Sequence, residues 1–86
     1  MLKTMASVYV LLSSKDKKTY TGSTVDLSTR LVEHDEGRVI STRNRRPLKL
    51  VYKEDFVDLH EARLRERYLK TRAGRRELKT ILSKVL

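Results

Sequence analysis

The sequence predicts a small α+β domain of three short strands and three helices, and three observations carry that prediction. Two strand-like runs, residues 7–13 (SVYVLLS) and 18–22, flank the polar stretch Ser14-Lys15-Asp16-Lys17 and read as a hairpin. Further on, Leu48, Leu50, Tyr52 and Phe56 alternate with Lys49, Lys53 and Asp55, the period of a half-buried third strand. The remaining apolar residues recur at helical spacing, most clearly Leu78, Ile81, Leu82 and Val85 near the end.

The first run is apolar at almost every position, as in a strand covered on both faces. If its turn is symmetric, with two or four loop residues, Tyr9 lies opposite Gly22 and Tyr20 opposite Leu11. The phenols then become diagonal neighbours on one face, about 7–8 Å apart at the backbone. A three-residue loop would separate them. Thr24 suits a helix N-cap, Asp26 a first turn and Gly37 a C-terminal stop. Inside that helix Leu27 and Leu31 form the inward pair. Arg30 and His34 lie about 60° round the axis, bordering the apolar stripe beside the sheet.

Residues 38–47 form a basic loop ended by Pro47. Asp58 caps a second helix running to about Arg72, on which Leu59, Ala62, Glu66 and Leu69 share one stripe. Leu64 and Tyr68 fall on the opposite side, so the inward face of this helix stays open at this point. Gly74 breaks the pattern before the last helix.

A chain of 86 residues has room for one domain, here with its core over about 6–84, that buries somewhat more than about 60% of its unfolded surface. No internal repeat or low-complexity tract divides it. The absence of cysteine excludes disulfides, zinc-thiolate sites and thiol nucleophiles. Two histidines do not close a zinc site without carboxylates. The opening MLKTMASVYVLLSS loosely imitates a secretion signal, but its apolar run is short, contains Tyr9 and lacks a clean small-residue cleavage site. It is therefore assigned to a strand, with residues 1–4 dispensable and Met5 an alternative start. No stretch approaches the roughly 20 apolar residues of a membrane span, and a cytoplasmic monomer is expected. The net charge of +9 at pH 7 favours a polyanionic partner, nucleic acid before membranes or acidic proteins.

Four side chains stand out chemically: Tyr9, Tyr20, Arg30 and His34. Two phenols, a guanidinium and an imidazole held together suit a phosphate and the water that attacks it. Glu66 adds a carboxylate inside an apolar stripe, which calls for a partner or a metal. Each has a plainer reading beside this one. Glu66 can pair with Arg63 or Lys70 along its own helix, Arg30 can be a solvated helix residue, and His34 can be structural. The tyrosines can be half-buried strand aromatics, as Tyr52 and Tyr68 are expected to be packing residues, and His60 belongs on the surface. Two basic clusters can follow phosphates without reading bases: Arg38, Arg43, Arg45, Arg46 and Lys49, and then Lys70, Arg72, Arg75, Arg76 and Lys79.

The ordered set Ser7-Val8-Tyr9, Tyr20-Thr21-Gly22, Arg30, His34 and Glu66 resembles the GIY-YIG endonuclease domain, over about residues 7–84. The likeness is greatest to small single-domain bacterial members, through STRNRRPLKLVYKEDF and EARLRERYLKTRAGRRELK. The resemblance implies a three-stranded antiparallel sheet flanked by three helices. It also implies phosphodiester hydrolysis in DNA with one divalent ion, Mg²⁺ or Mn²⁺. Carried over, Tyr9, Tyr20, Arg30 and His34 are the catalytic set and Glu66 the metal ligand. Ser7, Val8 and Thr21 depart from the family's glycine and isoleucines; Ser23 and Leu78 stand where larger members have a lysine and an asparagine. The rival functions are a binding module of the same fold with a weakened site, and an interaction protein docking on an acidic partner.

Overall fold

The structure, a computed structural model, describes residues 5–85, so the reading of residues 1–4 as dispensable lies outside the described residues. The apolar run forms β1 (Ala6–Ser13), the middle strand of an antiparallel sheet between β2 (Thr19–Thr24) and β3 (Leu48–Phe56). The central position explains its composition, because Val8 and Val10 on one face and Tyr9 and Leu11 on the other are all at most 1% exposed. The hairpin closes where the Ser13 N–H donates to the Lys18 carbonyl at 3.0 Å, leaving residues 14–17 as its loop. Lys17 takes the left-handed position of that loop at φ 62°. The even loop sets the register expected from the sequence, with Tyr9 against Gly22 and Leu11 against Tyr20.

The first helix, α1 (Leu27–Asp35), is capped by Asp26 rather than Thr24. Asp26 is extended, and its carboxylate accepts from the Thr29 N–H at 3.1 Å and from the Thr29 and Ser28 hydroxyls. Those donors hold its carboxyl below the ordinary range, whereas the neutral Thr24 hydroxyl serves the preceding turn. Gly37, at φ 76°, ends the helix in the left-handed conformation, while the Arg38 N–H returns to the Glu33 carbonyl. The inward face differs from the expected Leu27–Leu31 pair. Both leucines are half-buried, and the residue α1 buries is His34.

Strand β3 carries a bulge that the alternating pattern concealed. Val10 pairs with Tyr52 but Leu11 pairs with Leu50, so Val51 is the extra residue. One extra residue reverses the facing of everything beyond it. Leu48 and Leu50 therefore lie under α1, lining a small cavity with Leu11, Leu31 and His34. Val51, Tyr52 and Phe56 pack against the core on the other side. One strand thus supplies both layers, in place of the single half-buried face expected.

The opposite layer comprises α2 (Leu59–Leu69), capped by Asp58 as expected, and α3 (Arg72–Val85). Ala62, Leu69, Leu78 and Leu82 meet Ala6, Val8 and Val10 in the core. The inward stripe of α2 is accordingly the one bearing Glu66. Leu64 is exposed, and so is Tyr68, which was expected to pack; its hydroxyl instead donates to Glu77. Arg65 joins Glu54 of β3 at 2.8 Å and also Glu77 of α3, clamping three elements together.

Helix α2 stops at Leu69 rather than near Arg72, and Gly74 lies inside α3 instead of interrupting the chain before it. The Thr71 hydroxyl accepts from the Gly74 N–H at 3.1 Å and opens α3 immediately. Gly74 is required because the two helices touch there through their backbones. A Cβ at this position would lie 1.9 Å from the Tyr68 carbonyl oxygen and 2.6 Å from the Leu69 Cα. Neither atom belongs to a side chain that can rotate away. Gly74→Ala is expected to cost about 2 kcal/mol or more, seen as a fall of roughly 8–16 °C in Tm by thermal melting.

Candidate active site

The site begins with a missing side chain. Gly22 faces Tyr9 across the hairpin, and a Cβ there would stand 2.6 Å from the Tyr9 hydroxyl. The bare backbone of β2 lets the Tyr9 ring lie flat across it and reach α1. There the Tyr9 hydroxyl meets His34 Nε2 at 2.8 Å, and His34 Nδ1 meets the Thr42 hydroxyl at 2.7 Å. All three residues are buried, at 1% exposure or less, so the chain of hydrogen bonds is shielded from water.

Tyr20 packs edge-on to the same imidazole. Its ring centroid lies 5.4 Å from that of His34 and 6.3 Å from that of Tyr9. Arg30, one turn before His34, is held by Glu33 at 3.0 Å and is half-buried. Its charge reaches both neighbours. Burial pushes the Tyr9 phenol up to about 12, with Arg30 pulling the other way, and burial plus Arg30 keeps the His34 pKa below its ordinary value. His34 is therefore a neutral imidazole, able to act as acceptor for the tyrosine.

The carboxylate arrives from the other layer. Glu66 of α2 reaches the free edge of β2, where it accepts from the Ser23 hydroxyl and, at 2.7 Å, from the Lys70 ammonium. Lys70 also lies 5.9 Å from the Tyr20 ring centroid, so it touches the acidic and aromatic halves together. Glu66 is near enough for its negative charge to help raise the Tyr9 phenol. The ion pair with Lys70, weighed above as the plainer reading of Glu66, is thus present.

Sequence reasoning missed Thr42 and, for Ser23, which it noted only as a departure from the family pattern, the contact with Glu66. Neither has a signal of its own, since one sits in a basic loop and the other at a strand end, and only folding brings them to His34 and Glu66. Of the two basic clusters, the first is largely engaged internally. Arg45 pairs with Asp16 at 2.7 Å, Arg38 pairs with Glu36, and Arg46 donates to the Arg43 and Asp35 carbonyls while packing against Gly37. Arg43 and Lys49 are exposed, as are Arg72, Arg75 and Arg76 on α3 and His60 on α2.

The family model for the GIY-YIG catalytic domain matches residues 5–79. The chain belongs to the GIY-YIG family. It is 39% identical over 79 residues to a UPF0213 protein of Staphylococcus haemolyticus, covering 90% of this chain and 96% of that protein. A UPF0213 protein of Clostridium perfringens is 42% identical over 81 residues, 93% of this chain and 86% of that one. The solution structure of a UPF0213 protein from Bacillus halodurans superposes with a TM-score of 0.54 at 32% identity, covering 88% and 83% of the two chains. GIY-YIG proteins are a nuclease family with nucleic-acid substrates that generally use divalent metal ions, and the α+β architecture described above agrees with this membership.

The GIY-YIG departures are absorbed locally. Ser7, in place of the first glycine, donates to Asp55 at 2.8 Å, and Ser23 donates to Glu66 where larger members have a lysine. The donor set fits one hard cation. Glu66 is the carboxylate that would serve such an ion, and among the described residues no cluster of three metal-ligating side chains exists. A lone carboxylate that already holds an ammonium at 2.7 Å suits an ion that keeps most of its waters and draws its other ligands from a phosphate.

The neutral state of His34 gives a pH dependence. Protonation is penalised in the folded chain, so the unfolded chain takes up that proton first, and the contribution is complete above about pH 6.5 and lost as the pH falls. NMR titration of the ring protons is expected to return a pKa for His34 below about 6.5. Tm is expected to decline between about pH 7 and pH 5 in the parent, and less in His34→Gln. A His34 pKa above the free imidazole value overturns this.

Proposed function

We propose that the chain is a metal-dependent endonuclease that hydrolyses phosphodiester bonds in DNA. The observation that carries this is the convergence at one sheet edge of the Tyr9–His34 pair, Tyr20 and Arg30 from one layer with Glu66 from the other. Glu66 would hold the divalent cation, Mg²⁺ or Mn²⁺, whose charge helps offset that of the phosphate and favours ionisation of water.

The protein's own groups account for the remaining work. Arg30 exchanges Glu33 for the scissile phosphate and grips its non-bridging oxygens through two N–H groups. Tyr9, buried in the free chain, would receive the proton of the attacking water once a bound phosphate carries that water past Tyr20 to its hydroxyl. A phenol whose pKa is pushed up to about 12 ionises too rarely to serve alone at neutral pH, so its own proton passes to His34 Nε2 as the new one arrives. Burial and Arg30 keep His34 neutral, and Thr42 orients it for that transfer. Tyr20, less buried and beside Lys70, orients the water or the phosphate. The absence of cysteine suits a cytoplasmic setting, and we take the working unit to be this single domain as a monomer. No described helix is long and apolar enough to cross a membrane.

A second reading has one observation in its favour. The Lys70 ammonium already compensates Glu66, as it would in a binding module that no longer cuts. A gel assay on single-stranded, duplex and branched DNA separates the two. Cleavage is expected with Mg²⁺ or Mn²⁺ and none with EDTA. Glu66→Ala and Arg30→Ala are each expected to slow cutting by about 10²–10³ or more while DNA affinity changes less than about threefold. Binding without cleavage under every metal condition favours the binding module, and parent-like cutting by both variants refutes this assignment of the site.

A further inference from the structure

A groove of about 810 Å³ runs from Tyr20 along the free edge of β2 to α3. Leu69, Leu78 and Leu82, core residues exposed at 1%, 6% and 9%, show their outer edges as its apolar floor. Lys17 of the hairpin loop and Lys18 at its close stand on one bank, and Lys70 at the end of α2 with Arg75 and Lys79 of α3 on the other. Five cations line it among the described residues, and no Asp or Glu does. Within the same residues Lys17, Lys18, Arg75 and Lys79 make no salt bridge, whereas Arg38 and Arg45 of the other basic cluster are ion-paired and Arg46 is spent on carbonyls.

We infer that this groove is the seat of an unpaired DNA strand flanking the scissile phosphate. The inference rests on the nuclease reading for the position of the scissile phosphate, since Tyr20 lines the groove and also packs in the site. Its chemistry is independent of that reading. Uncompensated cations on both banks match a sugar–phosphate backbone, and an apolar floor accepts the faces of bases that have left their stack. A base-paired duplex hides those faces and has nothing to offer the leucines. Tyr20 at the mouth adds an aromatic surface next to the first base. The groove further decides between the two basic clusters, because the free charges of α3 border the site and those of the 38–47 loop are mostly engaged within the fold.

Binding is tested without metal, by fluorescence anisotropy of a labelled oligothymidylate of about twelve nucleotides in EDTA. The double variant Arg75→Glu/Lys79→Glu is compared with Arg43→Glu/Lys49→Glu, which changes the net charge equally on the other cluster. Circular dichroism verifies that both are folded. The groove variant is expected to bind about tenfold or more weakly and to lower the slope of log affinity against log salt by about 1.4, roughly 0.7 for each phosphate no longer neutralised. The control is expected to change affinity less than about threefold. In NMR, oligothymidylate should shift the methyl signals of Leu78 and Leu82. Equal losses in both variants, displacement by a duplex of the same length at equal concentration, or tighter binding of poly-glutamate would each overturn the inference. The enzyme reading stands or falls separately. Cleavage with parent-like binding by the groove variant refutes the groove alone, and groove binding without any cleavage refutes the nuclease alone.

Discussion

The hydrogen-bond chain Tyr9–His34–Thr42 governs how the molecule is put together around its site. It places three polar side chains where a core normally holds leucine, and burial without partners would cost each of them on the order of 1–3 kcal/mol. Mutual satisfaction removes that penalty and fixes the geometry at once. The Tyr9 ring cannot leave Gly22 without stranding His34. Likewise, α1 cannot rotate without breaking contact with Tyr9 or Thr42. A helix whose one fully buried side chain is a histidine has little apolar attachment, so hydrogen bonding takes over the orienting role that leucines perform elsewhere.

The sheet distributes the chemistry between two layers. Residues of β1 alternate, so Tyr9 belongs to the α1 side while Val8 and Val10 belong to the side of α2 and α3. The Tyr9–His34 pair and the Glu66 carboxylate therefore come from opposite faces of the sheet. A strand in the interior would keep them apart. At the free edge of β2 the successive residues Gly22 and Ser23 contact one set each, Gly22 the Tyr9 ring and Ser23 the Glu66 carboxylate.

Much of this was legible in the sequence, and the parts that were not share a physical cause. The hairpin register followed from side-chain alternation and an even loop, and the stripe containing Glu66 followed from helical spacing. The bulge at Val51 was hidden because apolar residues continue in step on either side of it, and nothing in a one-residue insertion alters composition. Gly74 has the chemistry of a helix breaker, yet its backbone contact with Tyr68 and Leu69 exists only after two helices meet. Asp26 and Thr24 are both good caps, and the choice depends on local chain direction. The contacts of Thr42 and Ser23 were invisible for the same reason as that of Gly74: their partners lie in elements that only tertiary structure brings near.

Lys70 has a consequence for the resting molecule. Because its ammonium neutralises the Glu66 carboxylate at 2.7 Å, the folded chain needs no external ion to tolerate that carboxylate beside a raised phenol. Assembly of the scaffold is thereby uncoupled from the supply of divalent salts. A divalent ion held by Glu66, as proposed above, would enter by substitution at a place already occupied by positive charge, and the Lys70 amine would be released from the carboxylate.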